Sequence, residues 1–482
     1  MFVAHMGNII ARFLLVLAGA QFFSYLVAVG YGEDGPAGVL LGIGAFTAFC
    51  GFGLSIAFRG RKIDPDRRVD VFLPLGTLLL LPVLAALPFI FGGVVSGFWT
   101  GYFEAVSALT TTGASLIDAP EGLARGLLFY RALLEWGGGL LSVIMVLGVL
   151  TYTNIGALQL YDCGLPKGEG EATAKRLKKY SVDLILPYLV LTILCTGLLW
   201  ATGVGGFKGA TLSLTTLSSG GFVEQAGQPA LIANPAGEWV LTLFMLAAGL
   251  NLPLFWFLLR GRRQRFPERE HTAIYLWLSL AAVAAVAVAG FSQQLPFFEA
   301  VRGIVFSAVS AFSTTGFISD AGPPTSLVLL LVLISLAFLG ASVASTGGGI
   351  KTMRLIILFR HLLSEIRRLS HPHDATAPHF AGRMIDDGLL GRIWLLIFAF
   401  GLTLTLATLG FSALGYSISS AVALAVSALS NTGPLIFMVD PGFSGMAELG
   451  GWGLNLFGLL MVLGRLEIVA ALSVMAAGFW RK

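Results

Sequence analysis

The sequence predicts an all-α polytopic membrane protein, and three observations lead to that prediction. Of the 482 residues, 56% are hydrophobic and only 12% are charged, whereas a soluble globular chain carries about 25% charged residues. Several apolar runs approach 20 residues, the length that an α-helix needs to cross a hydrocarbon core about 30 Å thick. The third observation is a polar turn containing glycine, which occurs four times between the apolar runs.

Ten apolar runs are candidate membrane crossings. They fall at about 9–29, 37–58, 71–92, 126–150, 183–202, 238–259, 272–291, 327–359, 390–411 and 450–480, and the run at 327–359 is interrupted. The first run is too long for the apolar core of a signal peptide, so we expect a retained helix. The three cysteines are isolated in the sequence, which is not the pattern of a zinc site or of a disulfide framework.

Lysine and arginine residues concentrate in alternate connecting segments. Basic clusters lie at 59–68, 167–179, 260–269 and 351–392, the chain ends in Arg481-Lys482, and the intervening loops carry little positive charge. Positively charged loops remain on the cytoplasmic side of a membrane. The basic segments and both termini are therefore predicted to be cytoplasmic, which agrees with an even number of crossings.

Each weakly charged outer loop contains a short apolar segment that ends in a glycine turn. The four segments are GYFEAVSALTTTGAS (101–115), GATLSLTTLSSGGFV (209–223), GIVFSAVSAFSTTGFI (303–318) and SAVALAVSALSNTGPL (420–435). They align on Gly113, Gly221, Gly316 and Gly433, although the tandem Gly220-Gly221 leaves two registers open for the second copy. Because about ten apolar residues cannot span a bilayer, each segment is predicted to enter from outside, stop partway and return.

Four such re-entrant segments predict four pseudo-repeated helix–pore-helix–helix units around one central pore. Non-helical backbone at membrane depth is tolerated only where it is buried in protein or lines a watery cavity. Backbone carbonyls directed at an axis can replace the hydration shell of a monovalent cation, and glycine permits backbone conformations closed to other residues. No carboxylate lies within the four turns, which favours a large monovalent ion over calcium or magnesium.

We predict that the turns bind this ion as a selectivity filter. The candidate ion-binding residues are Thr111, Thr112, Gly113, Ser219, Gly220, Gly221, Thr314, Thr315, Gly316, Asn431, Thr432 and Gly433. For any one turn the alternative is an ordinary tight loop between helices. Recurrence of the turn after four short apolar helices on one side of the membrane favours the filter.

A run of three glycines, Gly347, Gly348 and Gly349, interrupts the eighth apolar run. Each glycine costs a helix about 1 kcal/mol relative to alanine, so the helix is predicted to unwind there. Lys351 follows, but Ile350 separates it from the last glycine, so the spacing of a phosphate-binding loop is not met and we reject a nucleotide site. A passive kink is the alternative to a moving gate.

Arg465 lies in an apolar stretch, LLMVLGRLEIVAAL. A charged side chain within a membrane usually faces a cavity or a partner, and in a pore it would repel cations. The alternative is an ion pair that only holds helices together, although Glu467 is a poor partner because residues two apart on a helix do not face each other. Glu104 and Glu299, near the outer starts of two pore segments, are candidates for attracting cations or for stabilising helix N-termini.

The turn sequences TTTGAS, SSGGF, STTGF and SNTGP, together with EWGGGL (135–140), ASTGGGIKT (344–352) and LGRLEI (463–468), carry a family resemblance. With them the whole chain resembles the Trk/Ktr/HKT superfamily of potassium transporters. Two additional N-terminal helices make it similar to the Trk-type (TrkH-like) membrane subunits. The resemblance implies two N-terminal helices in 1–69 and pore units in 70–165, 166–268, 269–385, with a broken second helix, and 386–482.

The resemblance implies potassium uptake across the bacterial cytoplasmic (inner) membrane, with potassium as the substrate and with no bound cofactor, no enzymatic activity and no nucleic-acid partner. Glycine at all four filter positions goes with potassium permeation in this superfamily, whereas serine at the first position in plant relatives favours sodium. The resemblance further implies a homodimer, and a cytosolic nucleotide-binding ring of the TrkA kind that gates the pore. It makes Gly347–Gly349 and Lys351 part of an intramembrane gate, and Arg465 part of a barrier to permeation.

Two alternatives remain open at this point. One is a symporter that couples potassium to sodium or protons, although the sequence has no obvious coupling site at the membrane midplane. The other is the channel-like subunit of an ATP-driven potassium pump, although the additional terminal helices expected of such a subunit are not found in the sequence.

Overall fold

The fold is almost entirely helical, as the computed structural model shows. The structure describes residues 2–59, 67–117, 120–149, 173–223, 234–261, 269–290, 296–319, 327–371, 379–380, 383–385, 387–440 and 442–466. Two N-terminal helices, α1 (Phe2–Gly30) and α2 (Asp34–Ala57), pack against each other as a hairpin. Four units follow them along the chain.

Each unit contains a long helix, a shorter pore helix and a second long or broken helix. The first unit comprises α3 (Arg67–Ala85), α4 (Leu87–Phe91), pore helix α5 (Phe98–Leu109) and α6 (Arg125–Gly148), and the second comprises α7 (Thr173–Ala201), pore helix α8 (Gly206–Leu217), α9 (Pro235–Gly249) and α10 (Leu252–Leu259). The third comprises α11 (Arg269–Gly290), pore helix α12 (Phe297–Phe312), α13 (Leu327–Leu339), α14 (Thr352–Ser370) and a small antiparallel pair, β1 (His379–Phe380) and β2 (Arg383–Met384). The fourth comprises α15 (Asp387–Ala413), pore helix α16 (Ile418–Leu429), α17 (Leu435–Val439) and α18 (Gly450–Arg465).

The outer surface of the helices is apolar, as expected of a protein that faces lipid. Phe49 is 74% exposed, Trp200 is 71% exposed and Phe398 is 68% exposed. Seven of the described helical segments are long and apolar enough to cross a membrane. Apolar surface of this extent on a soluble monomer would be unusual, so the chain is a multi-pass membrane protein.

The four units form a closed ring. The second helix of each unit lies between its own pore helix and that of the next unit: α6 contacts α5 and α8, α9 contacts α8 and α12, and α13 contacts α12 and α16. The ring closes because α18 contacts both α16 and α5. Small residues permit this close packing, since a Cβ at Gly138 would collide with the backbone of Leu109 and one at Gly464 would overlap that of Leu429.

Two of the second helices are broken. The break in the third unit, between α13 and α14, lies in the run that the sequence showed to be interrupted. The break in the second unit differs from the sequence prediction, which treated 238–259 as one continuous run, because α9 and α10 meet at Leu250 and Asn251 with a bend of 99°. Pro253 in the first turn of α10 favours a new helix start there.

Backbone groups at the two breaks form hydrogen bonds with each other. The Leu252 N–H donates to the Ala344 carbonyl at 3.0 Å, and the Ser342 N–H donates to the Gly249 carbonyl at 3.0 Å. Unpaired backbone groups at this depth would be costly. The pairing therefore explains how both helices can be interrupted inside the protein.

Candidate functional site

The four pore helices end in the same cap. After the last helical turn, Thr111, Ser219, Thr314 and Asn431 adopt left-handed backbone with φ of 53°, 53°, 62° and 54°. In the first unit, the Thr111 N–H donates to Ala108 O at 3.0 Å and the Thr112 N–H donates to Ser107 O at 2.9 Å. The other three helices make the same two bonds, which together define a Schellman motif.

This cap fixes the register of the four turns. Each left-handed residue lies two positions before one of the glycines Gly113, Gly221, Gly316 and Gly433. Of the two registers that the tandem glycines leave open in the second unit, the backbone conformation selects Gly221. The four turns, 111–113, 219–221, 314–316 and 431–433, therefore share the same cap and register, and all twelve residues are buried. Their glycines differ in backbone conformation, because φ is positive at Gly113 and Gly316 and not at Gly221 or Gly433.

The four turns meet at one place. A Cβ added at Gly113 would lie 2.6 Å from the Gly221 Cα, one at Gly221 would lie 2.9 Å from the Thr315 carbonyl oxygen, and one at Gly433 would lie 2.6 Å from the Thr112 carbonyl oxygen. The Gly433 N–H also donates to the Thr112 carbonyl at 2.6 Å, so the first and fourth units are in direct contact. Side chains at these glycines would intrude on the neighbouring turns.

Left-handed backbone is costly for residues with a Cβ, by about 1–2 kcal/mol each. Three of the four residues in this conformation make side-chain bonds to neighbouring segments. Ser219 Oγ lies 2.9 Å from Thr346 Oγ1, Thr314 Oγ1 accepts from the Gly348 N–H at 2.7 Å, and Asn431 Nδ2 donates to Met461 O at 2.9 Å. These bonds explain why polar residues occupy positions where glycine would be less strained.

Paired hydroxyl groups support three of the four turns. The pairs are Thr110 with Thr112 at 2.8 Å, Ser313 with Thr315 at 2.8 Å, and Ser430 with Thr432 at 2.9 Å. The second unit has Gly220 at the corresponding position, and there the Gly221 N–H donates to Oε1 of Glu135 at 3.1 Å. Glu135 was not among the residues predicted to form the site, although an acid in the apolar context of EWGGGL was a signal.

Glu104 is not a surface residue that attracts ions, so that candidate role is wrong. Its side chain is fully buried, accepts from Ser115 Oγ at 2.9 Å and from the Leu116 N–H at 2.5 Å, and lies 3.6 Å from Arg131 Nε. The carboxylate thus supports the chain just beyond the first turn. Glu299, by contrast, is exposed in the first turn of α12.

Glu238, on α9 of the second unit, has a related role beside the third turn. Its carboxylate accepts from Ser319 Oγ at 3.0 Å and lies 2.7 Å from Arg302 Nε. Ser319 follows the third turn by three residues. Buried acids therefore support the segments that leave two of the four turns.

The segment 340–351, which we call the glycine loop, packs against three of the turns. A Cβ at Gly347 would lie 2.8 Å from Ser313 O, and a Cβ at Gly348 would overlap Ser430 O. Thr346 Oγ1 donates to Leu217 O at 2.8 Å. The glycines of this loop thus permit its close contact with the third and fourth turns, and Thr346 makes the contact with the second unit.

The glycine loop ends in strained backbone. Gly349 and Lys351 have φ of 75° and 77°, and Lys351 Nζ donates to the Gly347 carbonyl. Left-handed backbone at a residue with a long side chain is uncommon and is found where surrounding structure holds it in place. Contacts with the surrounding segments therefore stabilise the conformation of the loop between α13 and α14.

Arg465 is the last residue of α18 and contacts the glycine loop. Its Nη2 donates to Thr346 O at 2.8 Å and its Nε donates to Ser142 Oγ at 2.6 Å. Both partners are uncharged. Glu467, the alternative ion-pair partner, lies outside the described residues. Arg465 and Lys351 also line one small cavity of about 30 Å³ against the loop.

Comparison with known proteins gives consistent matches along the chain. The TrkH family, described as a cation transport protein, matches residues 77–286 and 282–479. The chain is 29% identical over 488 residues to the Trk system potassium uptake proteins TrkH of Salmonella typhimurium and Escherichia coli, covering 98% of this chain and 99% of each relative. The crystal structure of the potassium transporter TrkH from Vibrio parahaemolyticus matches with a TM-score of 0.86 and 25% identity, covering 100% of both chains.

Proposed function

The chain belongs to the TrkH family of cation transport proteins, and on that premise we propose that it carries potassium into the cell through a central pore. The observation that carries the proposal is the meeting of four turns, each with the same cap, at one buried place. Relatives of nearly the same length are named as potassium uptake proteins, which supports potassium as the ion. In this proposal the chain is a transporter and not an enzyme.

The ion is bound by carbonyl oxygens of the twelve turn residues, 111–113, 219–221, 314–316 and 431–433. A ring of carbonyls suits a weakly hydrated monovalent cation. The turns themselves contain no carboxylate, and the contacts of the four glycines leave no room for side chains at the centre. Both features favour potassium over a divalent cation. The units that supply the turns are 70–165, 166–268, 269–385 and 386–482, after the two helices in 1–69.

Opening and closing depend on the glycine loop and Arg465. In this proposal the loop closes the path below the filter, which its contact with three turns and its bond to Arg465 support. Movement of the loop would break the bond from Gly348 to Thr314 and the bonds of Thr346. The charge of Arg465 would add an electrostatic barrier to cations.

A cytosolic nucleotide-binding ring of the TrkA kind acts on this gate, and the chain works as a homodimer in the bacterial inner membrane with both termini cytoplasmic. Helix α14 supports the regulatory part of the proposal. It continues directly from the glycine loop and has exposed arginines in its last turn, Arg367 and Arg368. A partner bound to this helix would act on the loop through a short, rigid connection.

Flux of rubidium into liposomes tests the filter, with Gly113→Ser and Gly316→Ser as variants. Both glycines have positive φ and close neighbours, so we expect each substitution to distort the carbonyl ring and to lower selectivity for rubidium over sodium by about tenfold, the equivalent of ~1.4 kcal/mol. Gly93→Ser is the matched control, because Gly93 has φ of 70° but open space around it. Unchanged selectivity in both filter variants would contradict the assignment of the filter.

A further inference from the structure

The turn of the second unit differs chemically from the other three. At the position before the glycine, three turns have a threonine whose hydroxyl contacts the hydroxyl two residues earlier. The second turn has Gly220 at that position, while Ser218 retains the earlier hydroxyl and donates it to carbonyls of its own helix. One side chain is thus missing from an otherwise fourfold arrangement.

Glu135 occupies the space of that missing side chain. It lies on α6, in the first unit, and is fully buried. A Cβ added at Gly220 would overlap its carboxylate group. Glycine at position 220 and glutamate at position 135 are therefore complementary in volume, although 85 positions separate them in the sequence.

The carboxylate also orients the backbone of the second turn. The Gly221 N–H donates to Glu135 Oε1 at 3.1 Å. In a trans peptide the N–H and the preceding C=O point in opposite directions, and no cis peptide bond occurs in the described residues. The bond to Glu135 therefore directs the Gly220 carbonyl away from α6.

Arg131 and Glu104 complete the surroundings of Glu135. Arg131 precedes Glu135 by one helical turn, lies 3.6 Å from Glu104 and stacks over the Phe222 ring at 3.6 Å. This arrangement holds α6 and the segment after the second turn together. The Glu135 carboxylate thus projects from a part of α6 that neighbouring contacts hold in place.

We propose that Glu135 is a positioning residue of the selectivity filter, which supplies from the first unit the support that a threonine side chain supplies in the other turns. This inference rests on the function proposed above. The inference predicts that the effects of substitutions at positions 135 and 220 on selectivity depend on each other. The second turn should tolerate a threonine only when the glutamate is removed, because the two side chains would compete for one space.

An exchange of the two side chains tests the proposal. The measurements are rubidium and sodium flux into liposomes for wild type, Glu135→Ala, Glu135→Gln and the double variant Glu135→Ala with Gly220→Thr. We expect Glu135→Ala to lower selectivity for rubidium about tenfold, as for loss of one hydrogen bond to a charged group. Glu135→Gln keeps an acceptor oxygen and should stay within about threefold of wild type.

The double variant should recover selectivity to within about threefold of wild type, because its hydroxyl can pair with that of Ser218 as in the other turns. Asp70→Asn is the matched control: it removes a buried acid that lies 2.9 Å from Arg176, away from the turns, and should leave selectivity unchanged.

Wild-type selectivity in Glu135→Ala, or a double variant no more selective than Glu135→Ala, would overturn this inference alone. Absence of rubidium flux in the wild type would overturn the proposed function and this inference with it.

Discussion

At the scale of single residues, buried polar side chains join segments that are distant in the sequence. Asn431 illustrates this, because its amide nitrogen donates both to Thr112 Oγ1 at 3.0 Å and to Met461 O at 2.9 Å. One side chain thereby joins the fourth turn, the first turn and α18. A buried donor without a partner would cost about 1–3 kcal/mol, so these bonds favour the position of the fourth turn against the first turn and α18.

Arg465→Ala tests the barrier at the residue scale. Removing the guanidinium takes away a positive charge and two hydrogen bonds to uncharged partners, one of them on the glycine loop. We expect basal rubidium flux without the regulatory partner to rise about tenfold, as for loss of a bond to a charged group of roughly 1.5–3 kcal/mol.

Arg176→Ala is the control for Arg465, because Arg176 is buried and also donates to a backbone carbonyl, Gly148 O, at 3.0 Å. It should leave basal flux unchanged. Equal flux in Arg465→Ala and wild type would assign Arg465 a structural role instead.

At the scale of elements, most of the helices could be predicted from the sequence. The break between α9 and α10 in the second unit was not predicted. Apolar composition alone predicts long helices, and the all-α fold class with four units is confirmed. The bend at Leu250 was missed because the run 238–259 is continuously apolar. Gly249, Asn251 and Pro253 were local signals of a break, but only the partner segment around Ala344 explains why a break is stable there.

The candidate site was predictable to a similar degree. Repetition of a short motif identified the four turns, and the left-handed residues then fixed their register. Their ion-binding role stays a prediction. Glu135 was not predictable in this way, because its contact with Gly221 joins two units and depends on how α6 packs against α8. Contacts between distant segments carry no periodicity that a single sequence would reveal.

Thr346→Val tests how the glycine loop is held. The substitution preserves shape but removes the hydroxyl that donates to Leu217 O and contacts Ser219 Oγ. A net hydrogen bond contributes about 0.5–1.5 kcal/mol, so basal rubidium flux without the partner should rise roughly threefold to tenfold.

Thr242→Val is the control for Thr346, because its buried hydroxyl donates within its own helix to Glu238 O at 2.7 Å, and it should not change flux. If flux through Thr346→Val equals that of wild type, these bonds do not hold the gate.

At the scale of the whole molecule, the ring places four units around one axis in a single chain. Closure through α18 and α5 means that no unit completes the arrangement alone. The second helix of each unit contacts two pore helices, so displacement of one helix would alter two turns. In the proposed function this fold would link selectivity and gating, since the glycine loop contacts three turns and continues into α14.

We predict that the membrane potential alone drives uptake of the ion. An ion that passes a continuous carbonyl filter gains about 2.3 kcal/mol per elementary charge for each 100 mV of membrane potential, and such uptake needs no second ion. We therefore expect rubidium uptake by proteoliposomes to follow the imposed potential and to be the same with and without a sodium or proton gradient at fixed potential.

Gly113→Ser in the same vesicles separates flux through the filter from leak, since the rubidium flux through the filter should fall in this variant. Uptake that rises with a sodium or proton gradient at constant potential would instead favour coupled symport, and would require a coupling site that the four turns, which lack carboxylates, do not supply.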